Sequence, residues 1–155
     1  RFIGEFLNVG DEGVLQLLRH DGGVLTLSDA GAHLVFMCDA GFGLHFLSKW
    51  VRDRGDFSLA EGVRRLTSHP ADLYGLSNRG RIRIGAYADL LMLDPQEVGV
   101  TAPERVSDLP GGGTRTIRRP LGVHGVFVNG IEVFDGEDYV NHATGPGHVL
   151  DSFDR

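Results

Sequence analysis

Cysteine is almost missing from this chain. Cys38 stands alone among 155 residues, which excludes an intrachain disulfide framework and fits a reducing cytoplasm. No apolar run reaches the length that a bilayer demands. Positive charge is in deficit, 15 basic residues against 21 acidic ones, and the net charge of −6 argues against a general nucleic-acid binder. None of the seven histidines belongs to an H-x-H or H-E-x-x-H pair, so spacing alone reveals no metal site. The triplet Gly111-Gly112-Gly113 lacks the Lys and Ser/Thr of a phosphate-cradling loop, and there is no internal repeat. The chain opens Arg1-Phe2-Ile3-Gly4, with neither an initiator Met nor a signal-peptide pattern.

What is present is a globular composition, 41% hydrophobic, well away from that of disordered chains. The length allows one ordinary domain or two small ones. It does not allow a complete (β/α)8 barrel, which takes ~250 residues.

Phe2 to Leu7 reads as a strand, and Asn8 to Gly10 breaks it. Asp11 is suited to a helix N-cap, with Glu12 near the positive helix end. Val14, Leu15, Leu17 and Leu18 then mark an apolar helical face, closed by His20-Asp21-Gly22-Gly23. Val24 to Leu27 is a continuous apolar and β-branched run, the pattern of a strand buried on both faces. Strand, helix and strand together predict one βαβ unit with a parallel pairing.

That buried run ends in Ser28-Asp29. An unpaired buried carboxylate is costly, so Asp29 belongs either at a functional strand end or in a turn that it caps through its own backbone. A glycine-containing loop follows through Gly43. Between Ala30 and Gly43 there is no Arg or Lys, so this loop offers no guanidinium for a carboxylate clamp. Leu44, Phe46, Leu47, Trp50 and Val51 predict a helix from about Leu44 to Arg54. Ser58-Leu59-Ala60-Glu61 is an S-x-x-E capping box for the next helix, and Pro70 fits the first turn of a short one ending near Tyr74-Gly75.

From Asn78 the texture becomes β-rich. Arg81 to Ile84 and Asp89 to Leu93 are strand candidates. Val98 to Arg119, with two prolines and the glycine triplet, reads mainly as a long loop. Val123 to Val128, Asn129-Gly130 and Ile131 to Phe134 predict a hairpin with a two-residue type I′ turn.

Three blocks carry a family resemblance. Leu27-Ser28-Asp29-Ala30-Gly31-Ala32-His33 resembles the last-barrel-strand motif of metal-dependent amidohydrolases of the N-acyl-D-amino-acid deacylase (D-aminoacylase) branch. Gly80 to Pro95 is similar to that family's G-x-I-x-x-G-x-x-A-D-L-x-x-x-D-P. Val126-Phe127-Val128-Asn129-Gly130 is similar to its V-x-V-N-G hairpin. The resemblance implies an α/β chain in which residues 1–77 are the last β/α elements of a TIM-like barrel. Residues 78–155 would then be strands of a small β-sandwich. It implies the C-terminal portion of a longer enzyme that hydrolyses N-acyl-D-amino acids with zinc, the remaining metal ligands lying upstream of Arg1. Asp29 would be both a catalytic proton carrier and a metal-site residue, and His33 a substrate contact. The isolated chain is then expected to be inactive and to pair with the rest of the barrel, another chain or a copy of itself. Two other readings stand beside it: a related cyclic-amide or amidine hydrolase, and a non-catalytic β-rich packing or oligomerisation module.

Cys38-Asp39 could form a mixed thiolate and carboxylate ligand pair, or be a half-buried thiol beside a loop carboxylate. His45, His69, His124, His142 and His148 read as structural or solvated.

Overall fold

Helices occupy the first half of the chain and strands the second. The structure, a computed structural model, describes residues 10–26, 28, 30, 34–35, 37–151 and 153. The strand expected at Phe2–Leu7 and the residues Leu27, Asp29 and His33 lie outside the described residues.

Helix α1 (Asp11–Arg19) forms where the apolar spacing predicts it, but Gly10, not Asp11, is its N-cap. Asp11 is taken instead by two cations, Lys49 Nζ at 2.6 Å and Arg54 Nη1 at 3.1 Å. These pairs tie α1 to the next helical segment. That segment starts as α2 (Phe42–His45) and continues over Phe46–Asp53 as a wider π-helical coil. Its end is marked by the i→i−5 bond from Arg54 N–H to the Lys49 carbonyl, 3.0 Å.

Of the Ser58 capping box, the N-cap half forms. The Ser58 hydroxyl accepts from the Glu61 N–H at 3.2 Å and opens α3 (Leu59–Leu66). Glu61 does not reach back to complete the box. Its carboxylate accepts from Arg64 at 2.7 Å and from Arg65 at 2.7 Å. Helix α4 (Ser68–Tyr74) carries Pro70 in its first turn and ends on Gly75 at φ 69°, a left-handed cap that glycine supplies without strain.

One apolar cluster joins the helices to the β region: Leu15, Phe46, Leu47, Trp50, Phe57 and Val98. Burying each such side chain stabilises by roughly 1.5–3 kcal/mol. Val98 is the most enclosed, at 1% exposure, and its carbonyl accepts from Arg52. The Phe46 and Phe57 rings lie tilted with centroids 5.3 Å apart.

Among the described residues seven strands follow in three antiparallel groups. β1 (Leu90–Leu93) pairs with β6 (Val123–Val128), and β6 with β7 (Ile131–Phe134). β2 (Gly99–Val100) pairs with β5 (Pro120–Leu121), and β3 (Glu104–Leu109) with β4 (Gly113–Ile117). The hairpin turn is as expected: Asn129 and Gly130 both have positive φ, 51° and 82°, and Val128 faces Ile131. A register shift between Val126 and Phe127 sets Val126 against Phe134.

Three expectations fail, each for a physical reason. Val24–Thr26 is not a strand. Among the described residues no neighbour takes its backbone bonds, and Leu25 packs instead on the core cluster. Arg81–Ile84 is not a strand either. Arg81 is drawn onto α4 by a bidentate pair with Asp72, both bonds 2.7 Å, and Ile82 stands 92% exposed. Conversely, residues 98–119 are not mainly loop. Pro110-Gly111-Gly112 is the turn of the β3–β4 hairpin, with Gly111 and Gly112 at φ 72° and 75°. Asp108–Arg115 and Glu104–Arg119 ion pairs cross it. No strand of the described residues pairs in parallel, so the βαβ unit is not found among them. No helix among them is long and apolar enough to cross a membrane.

Candidate functional site

The loop that leads away from Asp29 in the sequence returns to described residues at Leu34, where it is held by the β region. The Thr116 N–H of β4 donates to the Leu34 carbonyl at 2.6 Å. The chain then runs through Cys38 and Asp39 into α2. Between this loop, α2 and the β region lies a cleft of about 290 Å³, lined by Cys38, Asp39, Gly41, Phe42, His45, Val100 and Arg118. Gly41 is required for its wall, because a Cβ there would fall 2.3 Å from Val100 Cγ1.

The chemistry of the cleft is mixed. Cys38 is buried and Asp39 exposed. Burial pushes the His45 imidazole below its ordinary value of 6.5, and the cations Lys49 and Arg118 act in the same direction, against weaker opposition from Asp11 and Asp39. A neutral imidazole presents one donor and one acceptor. Arg118 lies one residue beyond β4, and the period of two along a strand puts it on the face of buried Thr116. Arg119, on the opposite face, is engaged by Glu104.

Neither Asp29 nor His33, the residues singled out in the sequence, falls among the described residues. Cys38 and Asp39 do line one cleft. The described residues there do not fit a zinc ion: thiol, carboxylate and imidazole do not converge as a ligand set. The set that does converge among the described residues is Asp94, Glu97 and His124, whose ligand atoms lie within 4.8 Å of one another. It sits half-buried to exposed, and one Asp94 oxygen already accepts from the Gln96 N–H at 2.7 Å. The reading of His124 as structural or solvated did not anticipate this grouping, since Asp94 and His124 meet only because β1 pairs with β6. Of the other histidines, His142 bonds the Glu132 carbonyl at 2.6 Å and His148 tilts toward the Tyr87 ring.

Sequence reasoning also did not place His45 and Arg118 in one cleft with Cys38. The available signal was the alternation Thr114, Thr116, Arg118, obscured because residues 98–119 read as loop.

Residues 14–134 match the Amidohydrolase family. Over 104 residues the chain is 37% identical to N-acyl-D-aspartate deacylase of Alcaligenes xylosoxydans xylosoxydans, covering 67% of this chain and 19% of that protein. It is 31% identical over 99 residues to D-aminoacylase of the same organism, covering 64% and 19%. A crystal structure of D-aminoacylase aligns with a TM-score of 0.49 and 28% identity, over 64% of this chain and 19% of that one. The chain thus spans about a fifth of the length of the relatives it matches.

Proposed function

This chain belongs to the amidohydrolase family, and on that premise we propose that it is the C-terminal portion of a deacylase acting on N-acyl-D-amino acids. The observation that carries the proposal is its 37% identity to an N-acyl-D-aspartate deacylase across two thirds of the chain. The reaction is hydrolysis of a linear amide. Water adds to the acyl carbonyl, the C–N bond breaks, and a carboxylic acid and a free amino acid leave.

We assign Asp29 the proton transfers. A carboxylate beside the attacking water takes its proton as the oxygen adds to the carbonyl. It then delivers that proton to the leaving nitrogen, so that the amine departs neutral. His33, four residues on, is assigned to the substrate. Zinc belongs to the proposal for the whole protein, as the ion that would polarise the carbonyl. A catalytic zinc takes three protein ligands, and the described residues of the cleft do not provide them. In the same reading, residues 1–77 are the closing β/α elements of a barrel and residues 78–155 part of a β-sandwich. The helices up to Tyr74 and the strands from Leu90 onward support that division.

The test is steady-state hydrolysis of N-acetyl-D-amino acids by the complete protein and by its Asp29→Asn variant. The amide keeps the shape but accepts no proton, and kcat is expected to fall ~10²- to 10⁴-fold. Turnover near that of the unaltered protein would remove Asp29 from the mechanism. Failure of the unaltered protein to cleave any N-acyl-D-amino acid would overturn the activity itself.

A further inference from the structure

We propose that Asp94, Glu97 and His124 form a divalent-metal site, one that fits zinc and clips the β1–β2 turn to strand β6.

Two local devices bring these side chains together. The first is a fixed turn. Asp94 N–H donates to the Gly122 carbonyl at 2.8 Å, and the Asp94 carbonyl accepts from Glu97 N–H at 3.2 Å and Val98 N–H at 2.9 Å. Val98 is sealed in the core at 1% exposure, which leaves the backbone of Glu97 beside it little freedom. Gly122 presses on the same turn, since a Cβ there would lie 2.7 Å from Glu97 C. The second device is a β-bulge. Met92 pairs with Gly125 and Leu93 with Val123, so His124 is the extra residue on β6. A bulge bends its strand and re-aims the side chain it carries. Gly136 closes in behind it, where a Cβ would lie 3.3 Å from His124 Cα. The result is an imidazole nitrogen within 4.8 Å of one carboxylate oxygen from Asp94 and one from Glu97.

The electrostatics of the group call for a cation. Among the described residues no Lys or Arg pairs with Asp94 or Glu97. Arg52 reaches the turn, donating to the Gln96 carbonyl at 3.2 Å. Its guanidinium is nonetheless committed to Asp53, through bonds of 2.7 and 3.3 Å. Two carboxylates held together without a counter-charge repel each other, and one divalent ion relieves that repulsion.

The donor set selects the ion. Imidazole suits zinc and its first-row neighbours, whereas calcium and magnesium take oxygen ligands. The two carboxylates balance the two charges of zinc. Ligand atoms around tetrahedral zinc stand about 3.3–3.5 Å apart, so the three groups need to draw in by at most ~1.5 Å. Glu97 and His124 are exposed, and their side-chain torsions can supply that movement. Asp94 is oriented by the Gln96 N–H at 2.7 Å, the kind of outer hydrogen bond that ligating carboxylates carry. Solvent reaches the group and would fill the fourth position. Two ligands from a turn and one from a strand make the ion a cross-link, and binding to the folded state alone stabilises that state.

The test compares the complete protein with its Glu97→Gln and His124→Ala variants. Each is equilibrated with zinc chloride, freed of excess by gel filtration, and assayed for zinc by plasma mass spectrometry. Any zinc bound elsewhere is common to all three, so the difference between them reports this site. The unaltered protein is expected to retain one zinc per chain more than either variant. Zinc affinity, read from the rise in Tm across a zinc titration, should fall at least ~10-fold in the variants, since losing even an outer partner of a ligand costs ~10- to 100-fold. Crystals measured at the zinc edge should show an anomalous peak between the three side chains. Glu97→Gln is isosteric and exposed, and it carries the test if His124→Ala does not fold. Equal zinc content in all three proteins, or no anomalous peak at the group, would overturn the site. An equal rise in Tm with calcium chloride would overturn it too, marking exposed carboxylates that merely gather counter-ions. None of these readings needs turnover, so a protein that holds zinc there but cleaves no N-acyl-D-amino acid keeps the site and overturns only the deacylase reading.

Discussion

Replacing Gly62 by alanine sets two opposing effects against each other, and the structure decides which wins. Gly62 is buried in α3. Alanine there would gain ~1 kcal/mol of helix propensity over glycine. The added Cβ, however, would lie 2.6 Å from Val51 Cγ2 and 3.3 Å from Leu47 Cδ2 on the π-helical segment. Valine is branched at Cβ and has little χ1 freedom to retreat, and overpacking of a filled core costs ~1–3 kcal/mol. The net expectation is a loss of up to ~2 kcal/mol, against the sign of propensity. Gly13 in α1 is the control, because a Cβ there meets nothing within 4 Å, and Gly13→Ala should stabilise by ~1 kcal/mol. The steric component is isolated by a double-mutant cycle with Val51→Ala, in which Gly62→Ala should recover its favourable sign. A coupling of ~1–3 kcal/mol is expected. Urea unfolding with an unchanged m-value reads all five proteins, the four of the cycle and the Gly13→Ala control. If Gly62→Ala stabilised as much as Gly13→Ala, or the coupling vanished, the packing of α3 on the π-helical segment would be refuted.

Two further outcomes follow from named contacts. The Glu61 carboxyl is held down to about 2 from its ordinary 4.5, first by its hydrogen bond from Arg64 and then by that from Arg65. A depressed carboxyl stabilises fully above pH 4.5 and loses that contribution as pH falls toward 2. Glu61→Gln should therefore flatten the stability profile in that window and cost about 1 kcal/mol at neutral pH, modest because the pair is partly screened by solvent. An unchanged acid limb in pH-dependent melts would show that the pairs do not persist in solution. Gly122 has φ +64°, and a Cβ there would lie 2.7 Å from both Glu97 C and Val98 N. Since backbone rather than a movable side chain obstructs it, Gly122→Ala should cost about 3 kcal/mol or more. Chemical denaturation showing a loss below about 1 kcal/mol would place the β5–β6 connection elsewhere.

Local physics made several elements legible from residues alone. Ser58 and Glu61 announce the start of α3 because a cap is a contact within one turn. Asn129-Gly130 announces a hairpin because positive φ angles are a property of those two residues. The family itself was legible in short motifs, since residues that must meet a turn or a strand end recur in fixed order. What the sequence could not determine depended on partners distant along the chain. Val24–Thr26 has strand composition, yet a strand exists only when another backbone takes its hydrogen bonds. The β3–β4 hairpin has loop composition, yet pairing across Pro110-Gly111-Gly112 makes it sheet, with charged pairs where apolar alternation would have revealed it. Arg118 is indistinguishable in sequence from Arg119 beside it. Strand alternation and the Leu34 loop fastened to Thr116 place one beside the α2 cleft, with no carboxylate partner among the described residues, and the other against Glu104. That division belongs to tertiary structure because burial and pairing are relations between segments, and no window of local sequence contains both sides of such a relation.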